Sequence, residues 1–188
     1  GMHLVEAALA IKTLESSSSI SEAELDSLKN WFEEFLKWIS THEYGRAEMI
    51  HPNNHGTCWN LQAASYAYLI GDREMLDSCA NRLEQNLLPS QMANDGSFPL
   101  ELERTKPYGY SIFNLDAMSS LAQILSLAGY DVWNFHTPDG RSLELGMKFL
   151  FPYIEDKSQW PYAEDVLYFE EYPVRQAFLL FGGLAFSK

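Results

Sequence analysis

Apolar residues recur at three- and four-residue intervals along almost the whole chain, the spacing that gathers them on one face of an α-helix. Leu4, Ala8, Ile11 and Leu14 predict a first helix, stopped by the serine run Ser16 to Ser19. Ser19-Ile20-Ser21-Glu22 and Ser21-Glu22-Ala23-Glu24 both have the form of a capping box. They precede a long helix with Leu25, Leu28, Phe32, Phe35 and Ile39 on one face. Trp59, Ala63, Tyr66 and Ile70 mark a third helix ended by Gly71, and Asp72 is placed to cap a fourth carrying Leu76, Ala80, Leu83 and Leu87. Leu115, Met118, Ala122 and Leu125 mark a fifth, ended near Gly129; Leu143, Met147, Leu150 and Ile154 mark a sixth. Val174, Phe178 and Phe181 mark a last helix after Pro173. No stretch alternates with period two between hairpin turns, so the expectation is an all-α fold of antiparallel helical hairpins, one domain over residues 1–188.

The connections carry the next inference. Those between the first and second and the third and fourth helices are short, while 42–56, 88–111 and 155–172 are long. In a stack of hairpins, alternate connections lie at the same end, so the three long ones should share a rim. Long loops in a compact domain are usually functional. Two of them carry unusual polar stretches: His51-Pro52-Asn53-Asn54-His55-Gly56, and Asp95 to Thr105 followed by Tyr108-Gly109-Tyr110-Ser111.

Composition narrows the chemistry. The 46% of hydrophobic residues can fill a core, and 5 Trp, 10 Tyr and 11 Phe suit flat contacts with sugar rings as well as helix packing. A net charge of −13 argues against nucleic acid as a general partner. No apolar run approaches the roughly 20 residues that span a bilayer, and no charged-then-apolar leader opens the sequence. Cys58 and Cys79, on neighbouring antiparallel helices, are out of register by about 9 Å, too far for a disulfide, so free thiols are expected.

Asn53, Asn54, His55, Arg104, Tyr108 and Tyr110 would converge on the rim. These residue types fit cleavage of an acidic polysaccharide by β-elimination. The proton next to the sugar carboxylate must leave, so the enzyme has to neutralise that carboxylate, supply a base and protonate the departing glycosidic oxygen. Amide and imidazole donors can polarise the carboxylate, Arg can bind it, and a tyrosine can serve as base, acid or both in turn. No metal or cofactor is required. Each residue also has a structural reading: His55 as a helix cap, Asn53 and Asn54 as turn residues, Arg104 as a partner of Glu101 or Glu103, Tyr108 to Tyr110 as a packed turn. Cys58 falls in an apolar helix, poor surroundings for a thiolate nucleophile, and His3, His42, His51 and His136 lack metal-ligand spacing with carboxylates.

Asn53-Asn54-His55-Gly56-Thr57, Asp95 to Thr105 and Tyr110-Ser111-Ile112-Phe113-Asn114-Leu115, in this order and separation, resemble the alginate lyase family of polysaccharide lyases. The resemblance is carried by residues 45–130, with the flanking helices compatible as hairpins. It implies an incomplete, open α/α toroid and a bacterial, periplasmic or secreted enzyme acting on alginate or a glucuronan-like polyuronate. Asn54 and His55 would neutralise or activate the uronate, Arg104 would assist, and Tyr110 would be the catalytic acid/base. Asn53, Trp59, Lys106 and Tyr108 would bind substrate, with Arg104 and Lys106 forming a local positive island. Cys58-Trp59 stands where the family more often has an aromatic pair, and the length corresponds to the C-terminal half of the usual toroid. Two other functions suit the same pattern: a non-catalytic carbohydrate-binding module, and a helical-toroid glycoside hydrolase using Asp95 with a second carboxylate about 5–9.5 Å away.

Overall fold

A computed structural model of the chain describes residues 2–173 and 176–186. Among them the regular elements are helical: α1 (His3–Leu14), α2 (Glu22–Thr41), α3 (Glu43–Ile50), α4 (Asn54–Ile70), α5 (Arg73–Arg82), α6 (Leu88–Gln91), α7 (Pro99–Leu102), α8 (Pro107–Leu127), α9 (Leu143–Glu155) and α10 (Ala177–Phe186). A π-helical turn, Leu83–Leu87, joins α5 to α6, and a 3₁₀ turn spans Lys157–Gln159. The all-α expectation holds.

The expected helix signals act locally. Ser21 and Glu24 form the reciprocal capping box at the start of α2, Gly71 ends α4 in the left-handed region at φ 81°, and Asp72 accepts from the Met75 N–H to start α5. The two cysteines are free, Cys79 being buried.

The core is built around α4 and α8, which pack directly on each other. α1, α2, α3 and α5 surround α4, and α7, α9 and α10 surround α8. Ala63, Ala64 and Ala67 of α4 are fully buried, as are Leu115, Met118, Leu121 and Ala122 of α8. The small α4 side chains let backbones approach closely, and burial on nearly every side explains why neither helix has a strong polar face. Each fully buried Leu here contributes about 1.5–3 kcal/mol relative to exposure.

The long connections differ from the expectation in a way that matters. The stretch 42–56 contains α3, and α4 begins at Asn54 rather than near Trp59. The stretch 88–111 contains α6 and α7, and α8 begins at Pro107, well before Leu115. His55 and Tyr110 therefore sit in the first turns of the two central helices, not on loops. Apolar periodicity missed these turns because Asn54, His55 and Gly56 in one and Pro107 and Gly109 in the other interrupt the apolar spacing. The last helix runs Ala177–Phe186, and Val174 lies outside the described residues. The three connections do meet at one rim: Glu101 reaches Asn54, Asp165 reaches Tyr108 and Gly109, and the Val166 N–H donates to the Thr105 carbonyl.

Candidate active site

Asn53 and Asn54 open α4. The Asn53 side chain accepts from the His55 N–H at 3.2 Å, an Asx cap. Asn54 is 4% exposed, and its backbone N–H and side-chain Nδ2 donate to the two oxygens of Glu101, both at 2.7 Å. Glu101 is itself 1% exposed, and its carboxylate can only accept, so the Asn54 amide is held with its NH₂ toward Glu101. Behind this pair, Gln91 ties the helix start to the core. Gln91 donates to the Asn53 carbonyl and accepts from Thr57 and Asn114, all buried.

α8 begins in the same manner. Asp165 accepts from the backbone N–H groups of Tyr108 and Gly109, each at 2.9 Å. Burial pushes its carboxyl above the ordinary range against those two bonds. A Cβ on Gly109 would lie 2.7 Å from Asp165 Oδ2, so the close approach needs glycine. Both central helices thus start on a carboxylate that neutralises the positive end of the helix dipole. Anion binding at this rim is left to side chains.

Those side chains line two adjoining cavities. One, of about 390 Å³, is bounded by Glu48, Asn54, His55, Cys58, Trp38 and Tyr44. The other, of about 260 Å³, is bounded by Lys106, Tyr110, Asp165, Leu167, Tyr168 and Tyr172. Phe113 lines both. His55 is about half exposed, and its Nδ1 lies 2.6 Å from Glu48 Oε2. Glu48 therefore fixes the proton on Nδ1 and turns Nε2 away from itself. The Arg104 guanidinium lies over the Tyr110 ring at 4.3 Å. Among the described residues it has no carboxylate within ion-pair distance. Lys106 sits over Tyr168 at 5.1 Å, and the charges of Lys106 and Lys157 act on Asp165 against the upward push of its burial.

The alginate lyase family profile matches residues 1–160. The chain belongs to the alginate lyase family. An alginate lyase from Bacteroides ovatus is 32% identical, with a TM-score of 0.83 over 90% of this chain and 45% of that one. Alginate lyase A1-III from Sphingomonas species A1 is 18% identical, with a TM-score of 0.69 over 82% of this chain and 43% of that one. The A1-III His→Ala variant complexed with a tetrasaccharide gives the same score and identity, over 82% of this chain and 42% of that one. A search of the curated proteins gives no match. The fold is that of the alginate lyase α/α toroid, of which the chain spans less than half the length of these solved structures.

Within the family frame, the structure groups Asn54 with His55 and Arg104 with Tyr110, one pair on either side of Phe113. Lys106 lines the Tyr110 cavity, and Asn53 serves as the α4 cap. Two expected substrate contacts are placed differently. Tyr108 is fully buried, with its hydroxyl on the Tyr153 carbonyl at 3.1 Å and its phenol pushed up to about 12 by burial. It packs beneath the site. Trp59 is 6% exposed and donates to the Ile39 carbonyl, so it forms the floor of the His55 cavity rather than an open platform. Asp95 is held below its usual range, chiefly by the Ser97 hydrogen bond in its own turn, which ill suits a general acid. Each cavity has one lining carboxyl, Glu48 or Asp165, rather than a facing pair. Cys58, pushed up to about 12 by burial and by the Glu101 and Glu48 charges, is no nucleophile. Glu48 and Asp165 escaped the sequence reading, and Glu101, expected as a partner of Arg104, is instead the partner of Asn54. The Asn cap signal exists at the start of α4, and α8 offers only Pro107 after Lys106; the long-range carboxylate partners of both starts leave no local trace.

Proposed function

We propose that this chain carries the β-elimination site of a polyuronate lyase, acting on alginate or a glucuronan-like polymer. The reading is carried by a neutral amide and an imidazole on one side of Phe113 and a phenol under a guanidinium on the other, with a single lining carboxyl in each cavity among the described residues. The uronate carboxylate would lie against Arg104, Asn54 and His55, which supply positive charge and hydrogen-bond donors as the adjacent carbon loses its proton. The C–H electron pair becomes a carbon–carbon double bond, the bond to the glycosidic oxygen breaks, and that oxygen takes a proton. Tyr110 would remove or deliver these protons, and His55 Nε2, turned away from the Glu48 contact, is a second candidate for the abstraction. The likeness to an alginate lyase at 32% identity and the tetrasaccharide complex of A1-III support an acidic polysaccharide as ligand.

Mass spectrometry of the products tests the reaction type. Elimination yields a new non-reducing end lighter by one water than the hydrolytic product, and it incorporates no ¹⁸O from labelled water. Saturated non-reducing ends, without the loss of one water, would establish hydrolysis instead. Uncleaved polymer that still binds would support the non-catalytic module.

A further inference from the structure

A partly exposed row of aromatic rings borders the His55 cavity and has no part in the proposed proton transfers. Trp31, Phe35 and Trp38 follow one face of α2, and His42 and Tyr44 continue the row across the corner into α3. Trp31 and Phe35 stack at 5.3 Å and 21°, Phe35 and Trp38 at 5.9 Å and 8°, and Trp38 and His42 at 4.9 Å and 24°. His42 and Tyr44 follow at 5.0 Å. Trp31, Trp38 and Tyr44 are 50%, 44% and 68% exposed. Large aromatics left this open, in a contiguous row, mark a binding surface more often than chance.

Three observations tie the row to the cleft. Trp38 and Tyr44 are walls of the same cavity as Asn54 and His55, so the row is continuous with the proposed site. The corner carrying them is closely packed: a Cβ on Gly45 would lie 2.1 Å from the Ile39 carbonyl oxygen, and that same carbonyl accepts from Trp59 Nε1. His42 Nδ1 accepts from the Tyr44 N–H at 3.3 Å, which caps α3 and restrains the imidazole between the two larger rings. The rings are thus pre-organised, and binding to them orders little that is not already fixed.

We infer that Trp38 and Tyr44, extended outward by Trp31, form a sugar-ring platform that binds further pyranose units of the polyuronate chain outside the cleavage point. The inference rests on the lyase reading for the identity of the polymer. A pyranose offers a flat C–H face to a ring and hydroxyls to its rim. Trp and Tyr answer both, with an apolar body and one polar atom. Such contacts carry no net charge and are hardly screened by salt, unlike those of Arg104 and Lys106.

Calorimetry and initial rates with oligouronates from disaccharide to hexasaccharide, on the full chain, test this. Trp38→Ala and Tyr44→Ala should each weaken hexasaccharide binding about three- to tenfold. They should raise KM with little change in kcat, act more strongly on the hexasaccharide than on the disaccharide, and keep their effect in high salt. Trp38→Phe should restore most of the affinity, which a merely unfolded variant would not allow. A double Trp38→Ala, Tyr44→Ala variant that folds and binds hexasaccharide as the wild type does would overturn the platform. So would a wild type that self-associates through these residues without any effect on sugar affinity, since the occupant would then be a second copy. Ring-dependent binding without elimination would sink the lyase reading and leave the platform standing. Ring-independent elimination would do the reverse, and a wild type that neither binds nor cleaves would remove both.

Discussion

Glu101 holds the position of Asn54, and its removal should be felt in both stability and rate. Its two oxygens receive the Asn54 backbone N–H and Nδ2 at 2.7 Å, with Glu101 1% and Asn54 4% exposed. A hydrogen bond to a charged acceptor contributes about 1.5–3 kcal/mol, and a buried donor left without a partner costs a similar amount. Glu101→Ala orphans both donors, so the expected loss is about 3–5 kcal/mol. Glu101→Gln keeps one acceptor but points an NH₂ at the other donor, for a loss of about 2 kcal/mol. With a urea m-value of about 2 kcal/mol/M, the unfolding midpoint should fall by about 1 M for Gln and about 2 M for Ala. The Ala loss is a large share of the roughly 5–15 kcal/mol available to a domain. Tryptophan fluorescence during urea unfolding measures both. A Glu101→Ala midpoint within about 0.3 M of wild type would refute the claim that this carboxylate satisfies the start of α4.

Other consequences are as direct. Gly45→Ala drives a methyl into the Ile39 carbonyl, and calorimetric unfolding should show a loss of about 1–3 kcal/mol or more. Both thiols are pushed up to about 12, with burial the leading cause. At pH 8 only about one Cys58 in 10⁴ is thiolate, so native alkylation should be very slow and rise about tenfold per pH unit. Complete labelling within minutes at pH 8 would contradict this. Arg104→Ala should raise KM for polyuronate and flatten its dependence on salt, because a local cation is removed from the cleft. An unchanged salt profile would show that Arg104 does not meet the polymer.

Much of this was legible in the chain. Helical periodicity located α1, α2 and α9 and part of their buried faces, through Ala8, Phe32, Ile39, Leu143 and Leu150, whereas Leu14 and Leu28, expected on those faces, are exposed. It failed at the starts of α4 and α8, where Asn54, His55, Gly109 and Tyr110 are helical for reasons that lie elsewhere. Glu101 and Asp165 arrive from 47 and 56–57 residues away to satisfy the first N–H groups. The site motifs were readable as residue types, yet their neighbours were not. Tyr108 and Tyr110 look alike in sequence, and only the turn of α8 sends one into the core and the other to the cleft. Glu48 gave no signal because its role depends on α3, which the polar, glycine-containing stretch conceals. The aromatic row was visible only as composition until α2 placed its rings in line.

The central claim is that Tyr110 and His55 serve one elimination reaction. The direct measurement is the ultraviolet absorbance of the conjugated unsaturated uronate, followed with alginate, glucuronan and pectate for wild type, Tyr110→Phe and His55→Ala. A rise is expected with at least one polyuronate, cut by about 10²–10⁴-fold in each variant while folding is unchanged. A rise of undiminished rate in folded Tyr110→Phe would contradict that claim.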